Sequence, residues 1–164
     1  MKSRYPLIAS ALTSALAGCA IAVAPQYAEP TGGDTALLTF AKNDYFLVLP
    51  SIFGNASNCT DRNRLPAIPN NGDVTRTVVA GQPLSISLLR ARDYFSEACT
   101  RILTFTPESG HHYTAMIKGY RNECRIELSD AGALSEESTS IQPVQYVDRK
   151  LLRPFLENGA FCTE

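Results

Sequence analysis

"RILTFTPESGHHYTAMIK", residues 101–118, decides how the rest of the chain is read. Two apolar runs, 101–106 and 112–118, flank Pro107, Glu108, Ser109 and Gly110. In the second run Tyr113, Ala115 and Ile117 alternate with His112, Thr114 and Met116, the period of two that puts alternate side chains on opposite faces of a strand. A half-buried strand turns its less polar set inward, so Tyr113, Ala115 and Ile117 are expected in the core with Phe105. Met116 breaks the alternation and implies partial burial on the other face. Proline presets φ for the first corner of the turn, and Gly110 is the residue able to take the positive φ that closes it.

The same alternation extends in both directions. Upstream, "ALLTFAKN" (36–43) and "YFLVLP" (45–50) are short apolar runs separated by Asp44, and "VTRTVVA" (74–80) follows the turn pair Asn71-Gly72. After Gly81-Gln82-Pro83 comes "LSISLLR", in which Leu84, Ile86 and Leu88 share a face. Downstream, "CRIEL" (124–128) follows "GYRNE". Strands this short, punctuated by Gly, Pro and Asn, predict a mainly β fold, a single antiparallel β-sandwich domain over residues 36–164. Residues 36–128 show no helical period, whereas the tail "DRKLLRPFLENGAFC" (148–162) accommodates one short helical turn before Pro154.

The pattern Phe105, Pro107, Gly110, Tyr113 resembles the F-x-P-x-x-G-x-x-Y turn of transthyretin-like and other immunoglobulin-like sandwich modules of exported bacterial proteins. The resemblance implies a hairpin at 107–113, with the Tyr113 ring buried and its hydroxyl reaching backbone. It implies a fold and no function, because such sandwiches host many functions.

The N-terminus has a different character. Lys2 and Arg4 precede residues 7–17, which carry no charge and are mostly apolar, the pattern of a secretory signal. That run is well short of the roughly 20 residues needed to cross a bilayer. Leu16-Ala17-Gly18-Cys19 closely resembles the lipobox of bacterial lipoproteins. The resemblance implies that residues 1–18 are a cleaved signal peptide and that Cys19 becomes the first mature residue, acylated on sulfur and on its new amino group. One acyl chain anchors only marginally, whereas two or three hold a protein to the membrane durably. Ala20, rather than Asp, after that cysteine implies sorting to the outer membrane, on its periplasmic side. Residues 19–35 then read as the lipidated N-terminus and a flexible tether, since "IAVAPQYAEPTGGDT" (21–35) has neither period.

Removing residues 1–18 takes away Lys2 and Arg4 and no acid, so the 15 basic residues become 13 against 16 acidic ones, a net charge of −3. No basic face is available to neutralise phosphates, so no nucleic acid partner is expected. Cys59, Cys99, Cys124 and Cys162 remain after Cys19, and an even number in an exported chain reads as two disulfides. Three pairings are open. The expected one is Cys99–Cys124, joining neighbouring strand ends within one meander, with Cys59–Cys162 pinning the tail. Metal-ligand spacing such as CxxC is absent, and no cofactor or metal is expected.

Candidates for chemistry are few. His111 and His112 are the two histidines of the chain, and neighbours on a strand point to opposite faces, which suits a solvated turn pair better than joint chelation. No nucleophile elbow, HExxH or phosphate loop occurs. Asp93, Glu97, Glu108, Glu123 and Glu127 are scattered among Arg92, Arg101, Arg121 and Arg125 in the manner of solvated strand edges. Asn55-Ala56-Ser57 and Asn58-Cys59-Thr60 match the glycosylation sequon, which matters only in a eukaryotic secretory route. No catalytic residue is assigned. The expected function is a non-enzymatic structural or interaction module of the cell envelope, anchored through lipid on Cys19 and contacting another envelope protein. The alternative is a periplasmic inhibitor of a cell-wall hydrolase such as lysozyme, because residues 109–113 with Lys118-Gly119 resemble the S-G-x-x-Y and K-G elements of lipid-anchored lysozyme inhibitors. The spacing departs from that family, since the two elements nearly touch in this sequence.

Overall fold

The computed structural model describes residues 23–92, 98–119, 123–133 and 141–163; Cys19, its lipobox, Asp93, Glu97 and Arg121 lie outside the described residues. The chain forms strands β1 (Thr35–Ala41), β2 (Leu47–Asn55), β3 (Thr60–Arg64), β4 (Asp73–Val79), β5 (Leu84–Ala91), β6 (Cys99–Phe105), β7 (His111–Lys118), β8 (Arg125–Ala133), β9 (Gln142–Pro143), β10 (Val147–Leu151) and β11 (Cys162–Thr163). They make two sheets, one in the order β4-β1-β7-β8-β9 and one in the order β11-β10-β6-β5-β2-β3. The expected β-sandwich is thus the fold. One pair departs from the antiparallel rule: β1 runs parallel to β7. Parallel neighbours need a long crossover, and here β2–β6 lie between them in sequence.

Period-two patterning decides what faces the core. Leu38 and Phe40 on β1, Val78 on β4, and Tyr113, Ala115 and Ile117 on β7 meet Val48, Ile52, Ile86, Leu88, Leu103 and Phe105 of the other sheet. Leu84 is partly buried and packs at the edge of this cluster. Burying each Leu, Ile, Val or Phe among them contributes about 1.5–3 kcal/mol relative to leaving it in water.

The segment 107–110 is not a hairpin. Strand β6 pairs with β5 and β10, while β7 pairs with β1 and β8, so the turn carries the chain from one sheet to the other. The reason is that Phe105 and Tyr113 both point inward and meet across the interface, ring centroids 5.2 Å apart and edge to face. The backbone of the corner is claimed by other strands' connections: Gly110 N–H donates to the Thr35 carbonyl at 2.8 Å and Gly81 N–H to the Pro107 carbonyl at 2.8 Å. The Glu108 N–H donates to the Tyr113 hydroxyl at 2.9 Å, the backbone contact expected for that tyrosine. Gly110 has φ +75°, and open space surrounds the position a Cβ would take, so strain there is purely conformational. Gly110→Val is expected to lower the unfolding free energy by at least about 1 kcal/mol in urea titration; an unchanged midpoint would show that the corner relaxes to another geometry.

Both chain ends depart from expectation. Residues 148–151 extend as β10 instead of forming a helical turn, because Val147, Asp148 and Arg149 find an open edge on β6. At the other end, part of the expected tether is docked. Ala24 is buried, Gln26 bridges to Arg64, and backbone bonds of 2.8 and 2.9 Å join Arg64 to Pro25 and Tyr27. The Tyr27 hydroxyl donates to the Thr77 carbonyl at 3.0 Å. The free edge of β3 attracts this segment, as unpaired strand edges do.

Candidate functional site

Strand β3, "TDRNR", is not legible as a strand in the sequence, yet it sets one wall of a concavity on the six-stranded sheet. Period two places Arg62 and Arg64 on one face, opposite Phe53 and Ser51 of β2. That face is the outer one of the six-stranded sheet. Leu49, Ser51 and Phe53 of β2, Ser87 and Leu89 of β5, and Thr100 and Ile102 of β6 share it, because Ile52, Ile86 and Leu103 take the core side.

The C-terminal tail folds over one end of this face. Phe53, Cys59, Ile102 and Cys162 form a second, smaller core there, with Leu151 and Phe161 packed on it. Cys59 and Cys162 are at disulfide distance, Cα–Cα 5.3 Å, and join the β2–β3 turn to β11 at the opposite edge of the sheet. Phe161 N–H donates to the Cys59 carbonyl at 3.2 Å and Cys162 N–H to that of Asn58 at 3.3 Å. Arg62 ties the same two elements: it donates to Glu157 Oε1 at 2.8 Å, and its guanidinium lies 4.8 Å from the Phe161 ring centroid. Arg149 reaches the Ser57 carbonyl. What stays open is a groove of about 770 Å³, floored by β2, β5 and β6 and walled by Arg64, Leu65 and Pro66 on one side and Leu152, Arg153 and Pro154 on the other.

Cys99 and Cys124 are also at disulfide distance, Cα–Cα 6.5 Å, in the pairing expected. The two cysteines do not join neighbouring strand ends of one meander, however: β6 and β8 belong to different sheets, and the pair staples the two layers together. Arg101 Nε adds a bond to the Cys124 carbonyl at 2.7 Å.

Both histidine rings are engaged. His111 Nδ1 lies 2.8 Å from Asp130 Oδ2 and its Nε2 lies 3.6 Å from Glu108 Oε2. His112 Nε2 lies 2.8 Å from Thr39 Oγ1, which in turn meets Thr75 Oγ1 at 2.7 Å. Neither ring lines the groove. Ser109-Gly110 and Lys118-Gly119 sit at opposite ends of β7, so no single loop presents both elements, and Tyr113 between them is only 2% exposed. The two sequons are turn structures: Asn55 Oδ1 accepts from Ser57 N–H at 3.0 Å, and Asn58 Oδ1 from Thr60 N–H at 3.3 Å. Asn and Ser/Thr at this spacing are what such side-chain turns use. Arg125 and Glu127 pair at 2.8 Å on the exposed surface.

Among the described residues, no three His, Cys, Asp or Glu side chains gather as metal ligands do, and no helix is long and apolar enough to cross a membrane. No protein-family model matches the chain, and comparison with curated proteins finds no relative.

Proposed function

We propose that this chain is a lipid-anchored protein of the bacterial envelope, held at the periplasmic side of the outer membrane through Cys19, whose sandwich binds a component of that envelope without catalysing a reaction. The observation that carries the binding role is the open groove, set on a sheet whose ends the Cys59–Cys162 pair draws together. A preformed concavity on a rigid sheet is the usual form of a ligand site. The cysteine pairs fit an oxidising compartment such as the periplasm. The anchor rests on the lipobox at Leu16-Ala17-Gly18-Cys19. The groove lining offers apolar surface, hydroxyls and arginines, while both histidines are occupied elsewhere in sheet contacts, which supports binding over chemistry.

Cys19→Ala is expected to abolish processing at residue 19 and to move the protein out of the detergent-extracted membrane fraction. Unchanged membrane fractionation together with a normally processed N-terminus would overturn the anchoring.

A further inference from the structure

We propose that the groove on the outer face of the six-stranded sheet takes a single-chain amphiphile, an acyl chain ending in a carboxylate or phosphate. This deepens the binding reading above and rests on it.

The groove keeps apolar surface within reach: Leu49 is 37% exposed, and Leu89, Leu151, Leu152 and Phe161 along it are half-buried. A volume of about 770 Å³ lies within the range of small-ligand sites.

The charge on the walls has one sign. Arg62, Arg64 and Arg153 line the groove, and no Asp or Glu does among the described residues. Arg62 is committed to Glu157 and to the Phe161 ring. Arg64 spends its Nε on the Ala24 carbonyl at 2.7 Å, which fixes the guanidinium at the groove wall, and its two terminal nitrogens make no hydrogen bond among the described residues. Arg153 is exposed on the opposing wall. Guanidinium groups match carboxylate and phosphate oxygens in paired hydrogen bonds, so an anionic head is the complement of these walls.

The floor also selects against a peptide. Strands β2, β5 and β6 are each paired on both sides, leaving no row of free N–H and C=O groups for an added strand. A peptide laid across them would find side-chain partners but no strand edge to extend, whereas an acyl chain has no polar groups along its length to satisfy.

The test uses the full chain carrying Cys19→Ala, in detergent-free buffer, titrated calorimetrically with dodecanoate, dodecyl phosphate and dodecanol. Both anions are expected to bind saturably at one site, with the alcohol at least about tenfold weaker. The tighter anion identifies the head group. Arg64→Gln with Arg153→Gln, both exposed, is expected to bring the anions to the level of the alcohol and leave the alcohol unchanged. Leu49→Asp is expected to weaken all three, and equal thermal midpoints check that the variants fold. Anions and alcohol binding alike, affinity indifferent to the two arginines, or no saturable binding would each overturn the proposal. Saturable binding of an acidic peptide, with none of the acyl compounds, would overturn the amphiphile while leaving a binding module. Failed membrane fractionation would remove the anchor and leave the groove result intact.

Discussion

Cys59→Ser is expected to lower the unfolding free energy by about 4–5 kcal/mol, more than Cys99→Ser. The chain-entropy account ties the effect of a cross-link to the length of chain it closes, and gives about 4.7 kcal/mol for a loop of roughly 100 residues and about 3 for one of roughly 15. The separations here are 103 residues for Cys59–Cys162 and 25 for Cys99–Cys124. Cys59 and Cys162 also sit in the small core with Phe53 and Ile102, so losing the link frees the tail that forms one wall of the groove. Urea unfolding of the oxidised protein and of each serine variant measures this directly. Cys162→Ser should match Cys59→Ser, and the double variant should add little. If Cys99→Ser proved the more damaging, the staple between the sheets would outweigh the tail in holding the domain together.

Tyr113→Ala is expected to lower the unfolding free energy by about 3–5 kcal/mol, the range for removing a buried aromatic ring. The ring fills the core beside Phe105, and its hydroxyl receives the Glu108 N–H that sets the inter-sheet corner. Tyr113→Phe keeps the ring and loses that acceptor, and about 1 kcal/mol is expected. Burial raises the Tyr113 pKa above its usual value; the bond from Glu108 N–H opposes this, and the charges of Asp130 and Glu108 reinforce it. Burial, with Glu29 assisting, also raises Tyr27. A raised phenol favours the neutral form in the folded state, so its contribution is complete below the unfolded pKa near 10 and is lost as pH climbs through the folded value. Tyr113→Phe should therefore flatten the alkaline arm of the stability profile. Equal stability of the Ala and Phe variants would show that the ring does not carry the corner.

The corner and the strands around it were legible because alternation survives wherever one face is buried and the other wet. Tyr113, Ala115 and Ile117 show it on β7; on β5 the apolar Ile86 and Leu88 alternate in sequence with Ser85 and Ser87, which are buried as well. Strand β3 escaped because its five residues are polar and none is fully buried, although the shared face of Arg62 and Arg64 was a usable signal. Strands β10 and β11 escaped for a similar reason, since Val147 and Thr163 are exposed and their pairing is supplied by the edge of β6 and by Cys162. Sheet membership is not a local property. Residues 107–110 have the composition of a hairpin turn, and what sends β7 to the other sheet is Phe105 and Tyr113 meeting across the interface. Docking of residues 24–27 was hidden for the same reason: nothing in "APQY" has a period, and its partners Arg64 and Thr77 are distant in sequence. The groove combines β2, β3, β5, β6 and the tail, so its charge pattern emerges only once those strands are placed.

Display of this sandwich from a membrane by lipid on Cys19 is the proposal on which the envelope role depends. Intact mass spectrometry of the protein extracted from bacterial membranes, with sequencing of its N-terminal peptide, tests it most directly. A lipid-anchored protein is expected to start at Cys19, blocked to Edman chemistry and heavier than residues 19–164 by a diacylglyceryl group and one further acyl chain. A free N-terminus at another residue, with Cys19 unmodified or absent, would contradict it.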